Sequence, residues 1–116
     1  MGISQKDFAA MQRRIKPNQP VAREKDLHAD IIAELKALRI YFVHSRMDKA
    51  HTTGIGCPDF ILALQNADGS PRTVWIEVKT AKAKLTREQA GVALLLKIAN
   101  HEHHVVRNLA EFLELL

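Results

Sequence analysis

Two apolar runs joined by a strong turn signal limit what this chain can fold into. Phe60 to Leu64 is apolar throughout, which predicts a central strand covered on both faces. Asn66-Ala67-Asp68-Gly69-Ser70-Pro71 follows, and its Asn, Asp, Gly, Ser and Pro all favour a turn. Thr73 to Lys79 then reads as a second strand, so the pair predicts an antiparallel hairpin with a longer loop. Strand side chains alternate between faces. Trp75, Glu77 and Lys79 therefore share one face, and Val74, Ile76 and Val78 share the other. Asp59 opens the first run, and antiparallel pairing brings it close to Glu77. Two carboxylates held that close repel, and a cation between them is the natural remedy.

The surrounding chain supplies helices for such a hairpin. Leu27, Ile31, Leu35 and Leu38 recur at helical spacing, with Ile32 alongside, and predict a helix from about Ala22 to Leu38. Tyr41 to His44 reads as a short strand, and Arg46 to Gly56 as a polar loop. Thr86-Arg87-Glu88-Gln89 has the capping-box pattern. It opens a helix to about Ala99, with Val92, Leu95, Leu96 and Ala99 expected inward. His103 to Arg107 is a last strand, and Asn108 caps a final helix ending at Leu116. The expected order is α-β-β-β-α-β-α: an α/β domain over residues 21–116, with a mixed central sheet flanked by helices. Residues 1–20 read as an appendage. Ser4 caps a short helix over Gln5 to Ile15, and Lys16-Pro17-Asn18-Gln19-Pro20 breaks it.

At 116 residues the chain has length for one core. The 47% hydrophobic content argues against wholesale disorder. One cysteine, Cys57, excludes an internal disulfide and suits a reducing compartment; it reads as a small core residue. No apolar run approaches the length of a membrane span, and the first residues lack the apolar core of a secretion signal. Lys6 stands where a myristoylation signal needs Ser or Thr. A cytoplasmic protein is expected. The formal charge of +4 is a modest excess, but Lys79, Lys82, Lys84 and Arg87 crowd into nine residues behind the second strand.

Oxygen donors favour a hard dication, Mg²⁺ or Mn²⁺. Such an ion polarises a phosphoryl oxygen and acidifies bound water, and Lys79 would stand beside it as a compact positive charge. Taken singly, Glu-x-Lys on a strand is usually a solvated pair, and Pro-Asp is usually a turn. Their order and spacing, with the basic run behind them, favour a site that cuts phosphodiester bonds.

Pro58-Asp59 followed by Glu77-Val78-Lys79 resembles the PD-(D/E)xK nuclease superfamily, whose core is restriction-endonuclease-like. More narrowly, Gly56-Cys57-Pro58-Asp59, Trp75-Ile76-Glu77-Val78-Lys79 and Lys84-Leu85-Thr86-x-x-Gln89 resemble the VRR-NUC domain, over roughly Glu24 to Leu116. The resemblance implies that Asp59, Glu77, the Val78 carbonyl and Glu24 bind metal. It implies that Lys79 is the catalytic lysine, acting with Asp59 and Glu77, and that Gln89 on the following helix joins them near the active site. Glu24 also suits a helix N-terminus, and Gln89 also suits its capping box. His28 stands where the family commonly has Gln, and Cys57 where it often has Val. The resemblance further implies a stand-alone bacterial or phage protein, a homodimer, and branched DNA such as flaps or junctions as substrate. Phe112, Leu113 and Leu116 are the apolar residues expected to serve a dimer.

Arg46, Lys49 and His51 on the polar loop, with Lys82, Lys84 and Arg87, are expected to touch phosphates. Such contacts carry no sequence information, so they favour structure-selective cutting. His44 and His51 flank the loop before Pro58, from which they could approach DNA, though simple solvent exposure is the expectation. His101, His103 and His104 cluster without cysteines at zinc-finger spacing, which fits a polar loop and strand edge. Two other functions stay open on these residues. One is a non-catalytic DNA-binding or assembly module of the same fold, and the other is a Holliday-junction resolvase.

Overall fold

The computed structural model describes residues 23–45, 55–80 and 82–116. The short helix expected over Gln5 to Ile15 lies outside them, as do Arg46, Lys49 and His51. The described elements are α1 (Glu24–Ala37), β1 (Phe42–His44), β2 (Phe60–Gln65), β3 (Pro71–Val78), α2 (Arg87–Ile98), β4 (Glu102–Val106) and α3 (Leu109–Leu115). This is the expected α-β-β-β-α-β-α order, as an α/β fold with one four-stranded mixed sheet.

The sheet runs β1-β2-β3-β4. β1 pairs antiparallel with β2, and β2 with β3; β3 and β4 are parallel and joined through α2. The hairpin turn is built as its residues require. Asn66 N–H donates to the Ser70 carbonyl, Ser70 N–H donates to Asp68 Oδ1 at 2.9 Å, and Gly69 takes a φ of +87°. β3 starts two residues earlier than expected, because Pro71 pairs with Gln65 at the strand's first position, where a missing N–H is tolerated.

The core lies on one face of the sheet. Leu27, Ile31 and Leu35 of α1, with Leu109 and Phe112 of α3, close over Phe60, Leu62, Val74, Ile76, Val78 and Val106. The alternation of β3 is therefore as expected: Val74, Ile76 and Val78 are fully buried there. β2 is an interior strand, but only one of its faces is covered. Ala63 is exposed and Ile61 half-buried, so its unbroken apolar run overstates its burial.

Three expected core positions change. Leu38 follows the end of α1 and faces solvent. Leu95 is 67% exposed and Ala99 is exposed too, while Ala93 is the buried residue of α2. A helix meeting a sheet through a small residue buries a narrow stripe, and Leu94, Leu95 and Ile98 fall outside it. Phe112, assigned to a dimer surface, lies fully buried in the core; Leu113 and Leu116 stay exposed. No helix among the described residues is long and apolar enough to cross a membrane.

Candidate metal centre

Four elements converge at the open end of the hairpin. The register pairs Phe60 with Ile76, which sets Asp59 against Glu77 one step further along. Both carboxylates are almost wholly buried, at 1% and 2% exposure. Asp59 Oδ2 accepts a hydrogen bond from Val78 N–H at 2.7 Å, which locks the acid onto the strand that carries its partner. Burial first, then the hydrogen bond and the charge of Asp59, push the Glu77 carboxyl up to about 9; Lys79 opposes and Glu24 adds to the push. Without a cation, one proton therefore stays between these acids at neutral pH. A hard dication would supply a stronger counter-charge in place of that proton, and two buried carboxylates offer the oxygen donors that such an ion takes.

α2 begins beside them. Thr86 Oγ1 accepts from Gln89 N–H at 3.1 Å, and Gln89 Oε1 accepts from Thr86 N–H at 2.9 Å, which completes the capping box. The same side chain donates from Nε2 to Glu77 Oε1 at 2.9 Å. Gln89 thus caps the helix, as its pattern suggested, and also holds Glu77, a contact that the pattern alone did not specify.

Gly56 joins the Asp59 loop to α2. Its φ is +86°, and a Cβ built there would lie 2.6 Å from the Glu88 carbonyl oxygen. Backbone stands on both sides of that gap, so no side chain can swing away. Gly56→Ala is expected to destabilise the fold by about 2 kcal/mol or more, from the left-handed φ and the overlap together. A lower urea midpoint at unchanged slope would show it, whereas an unshifted midpoint would deny this packing.

α1 also starts at the site. Glu24 and His28 are one turn apart on one helix face. Ligand atoms of Glu24, His28 and Asp59 all lie within 4.8 Å of one another. His28 Nε2 is 3.8 Å from Asp59 Oδ2, and His28 Nδ1 is 2.9 Å from His44 Nε2. His44 is not solvent-exposed as expected. Its ring stacks on Phe60 with centroids 4.5 Å apart, and burial, then the charge of His28, lowers its pKa against an opposing pull from Asp59. The His28–His44 pair was not read from the sequence as part of the site. The spacing of Glu24 and His28 at i and i+4 was the available signal, but His44 is reached only through the β1–β2 register.

Lys79 is the residue after β3; its N–H donates to the Val106 carbonyl at 3.0 Å, so the ladder to β4 continues through it. Its positive charge opposes the upward push on the Glu77 carboxyl, so the ammonium group lies within electrostatic reach of that acid. Beyond it, Arg107 Nη1 donates to the carbonyls of Thr80 at 2.9 Å and Ala83 at 2.7 Å. This clasp holds the loop that presents Lys82 and Lys84, both exposed, with Arg87 exposed at the start of α2. Cys57 is half-buried; burial pushes its thiol up, with a Ser45 hydrogen bond opposing.

Among the described residues, the remaining histidines, His101, His103 and His104, lie just before or within β4. His104 Nε2 lies 2.7 Å from Glu102 Oε2, and Arg72 donates from Nε to Glu102 Oε1 at 2.8 Å. Arg72, foremost among the causes, holds the Glu102 carboxyl down at about 2. His101 packs against the edge of Trp75, the half-buried indole of the Glu77 face. These contacts fit a polar loop and strand edge.

Compared with known proteins, the chain matches no family model, no curated protein and no solved structure.

Proposed function

We propose that this protein is a divalent-metal-dependent DNA endonuclease with a restriction-endonuclease-like core of the VRR-NUC type. The observation that carries the proposal is the buried Asp59–Glu77 pair, with Glu24 on one side and Gln89 bound to Glu77 on the other. A purely structural role gives no reason to bury two acids against each other, at a cost in desolvation.

Asp59, Glu77, the Val78 carbonyl and Glu24 would hold Mg²⁺ or Mn²⁺. When bound, such an ion supplies Lewis-acid polarisation of a phosphoryl oxygen and acidification of water. The chain's own groups do the rest. Val78 N–H fixes Asp59, and Gln89 fixes Glu77, so neither acid must be ordered on binding. The Lys79 ammonium stabilises negative charge building on the phosphorus oxygens and on the attacking oxygen. Lys82, Lys84 and Arg87 grip the phosphate backbone from the clasped loop and the helix start, with Arg46, Lys49 and His51 as further phosphate contacts. Backbone contacts of this sort favour branched or flapped DNA in replication, repair or recombination over a base sequence. The reading includes a homodimer, with Leu113 and Leu116 available to it and Phe112 not.

The decisive experiment is direct. The purified protein, given linear and branched DNA, should cut with Mg²⁺ or Mn²⁺ and stay inert with a chelator. DNA binding without metal-dependent cutting would instead make it a non-catalytic module. Symmetric incision confined to four-way junctions would make it a resolvase.

A further inference from the structure

We propose that His28 is a nitrogen ligand of the same cation, and that His44 is the positioning residue that orients its ring, so the centre prefers Mn²⁺ to Mg²⁺. The inference rests on the metal-site reading above and adds a donor that the family resemblance does not supply.

The geometry comes first. His28 Nε2 stands 3.8 Å from Asp59 Oδ2. That is too long for a hydrogen bond. It is right for two donors on one ion, which at bond lengths of about 2.0–2.2 Å lie roughly 3–4 Å apart. Glu24 belongs to the same group, one helical turn before His28. The His28 side chain is 12% exposed, so its ring is nearly enclosed with that nitrogen facing acids.

The second observation is the ring's other nitrogen. His28 Nδ1 and His44 Nε2 are 2.9 Å apart, and one of them must carry the proton between them. With a cation on His28 Nε2, Nδ1 keeps its hydrogen and donates it to His44. Metal-binding imidazoles are commonly tied down in this way by a hydrogen bond from the far nitrogen. His44 cannot turn freely: β1 pairs it with Phe60, and the two rings stack at an interplanar angle of 20°. The sheet thus holds His44, His44 holds His28, and His28 faces Asp59 and Glu24. Imidazole suits transition ions better than it suits Mg²⁺, so one nitrogen in an oxygen site tilts selectivity toward Mn²⁺.

Electron paramagnetic resonance of the Mn²⁺-loaded full chain tests this without reference to cleavage. Pulsed spectra of the parent should show ¹⁴N coupling from one imidazole. His28→Gln, which keeps a good helix former, should retain Mn²⁺ but lose that coupling, and its preference for Mn²⁺ over Mg²⁺ should shrink. His44→Phe keeps a ring to stack on Phe60 but removes the acceptor; it should keep the coupling and bind Mn²⁺ about 10–100-fold more weakly. Mn²⁺ bound without nitrogen coupling in the parent, or coupling that persists in His28→Gln, overturns the inference. If that protein still cuts DNA, the nuclease reading survives alone. Coupling that vanishes in His28→Gln, in a parent that never cuts DNA, leaves the inference standing and removes the nuclease reading. A chain that binds no Mn²⁺ at all sinks both.

Discussion

Lys79→Ala is expected to lower cleavage of branched and linear DNA by about 10²–10³-fold while leaving divalent-ion binding nearly intact. Lys79 stands just past β3 with its N–H tied to Val106, so the backbone there is held by the ladder rather than by the side chain. Removing the ammonium group would therefore take away charge stabilisation at the reacting phosphate and leave the hydrogen bonds that hold both acids in place, while Glu77 loses the charge that opposes its upward push. Lys79→Arg should rescue poorly, because a planar fork does not replace a compact point charge. The measurement is single-turnover cutting at saturating protein, paired with a Mn²⁺ binding titration. Full activity in the alanine variant would end the nuclease assignment. Lost metal binding in step with lost activity would mean that Lys79 supports the fold of the site instead.

Glu77→Gln is expected to trade function for stability. In the cation-free protein, Glu77 is raised to about 9 from an ordinary 4.5, chiefly by burial. The folded chain thus holds a proton that the unfolded chain releases over that interval. The stability this supplies is complete below about 4.5 and drains as the pH climbs toward 9. Glutamine is nearly the same shape, never ionises, can donate to Asp59 and can accept from Gln89 Nε2. The variant should melt higher than its parent near about pH 8, with the gap closing toward about pH 5. A gain of about 1 kcal/mol moves the midpoint by about 4–8 °C in a domain near 100 residues. Cleavage should fall at least as far as in Lys79→Ala, since the neutral amide is a poor partner for a dication. Adding Mn²⁺ should raise the parent's midpoint and leave the variant's almost unmoved. A parent whose cation-free stability does not fall between those pH values would refute the buried, protonated pair.

Much of this arrangement was legible in the residues. The turn at Asn66–Pro71 and the alternation of β3 sufficed to set Asp59 opposite Glu77, because antiparallel register leaves little freedom once one face is apolar. Thr86 and Gln89 announced the start of α2 through a local, reciprocal pair of hydrogen bonds. Other features depended on how elements pack. Phe112 and Leu113 are adjacent apolar residues, and nothing local says which of them meets α1 and which meets water. Leu95 looked internal on helical spacing, yet Ala93 makes the close approach and turns Leu95 outward. His44 was placed beside a loop by its position in the chain, but a three-residue strand carries its ring onto Phe60 and into reach of His28. The acids were found by local pattern; their imidazole neighbours required the tertiary structure.

Gln89 is bound to Thr86 through one end of its amide and to Glu77 through the other. The acid's orientation is thereby set by a helix that the hairpin does not contain. Grafting β2 and β3 alone onto another scaffold would carry both carboxylates and leave Glu77 free to swivel. Any portable version of this centre has to bring the first turn of α2 with it, and Gly56 as the hinge point where the two pieces touch.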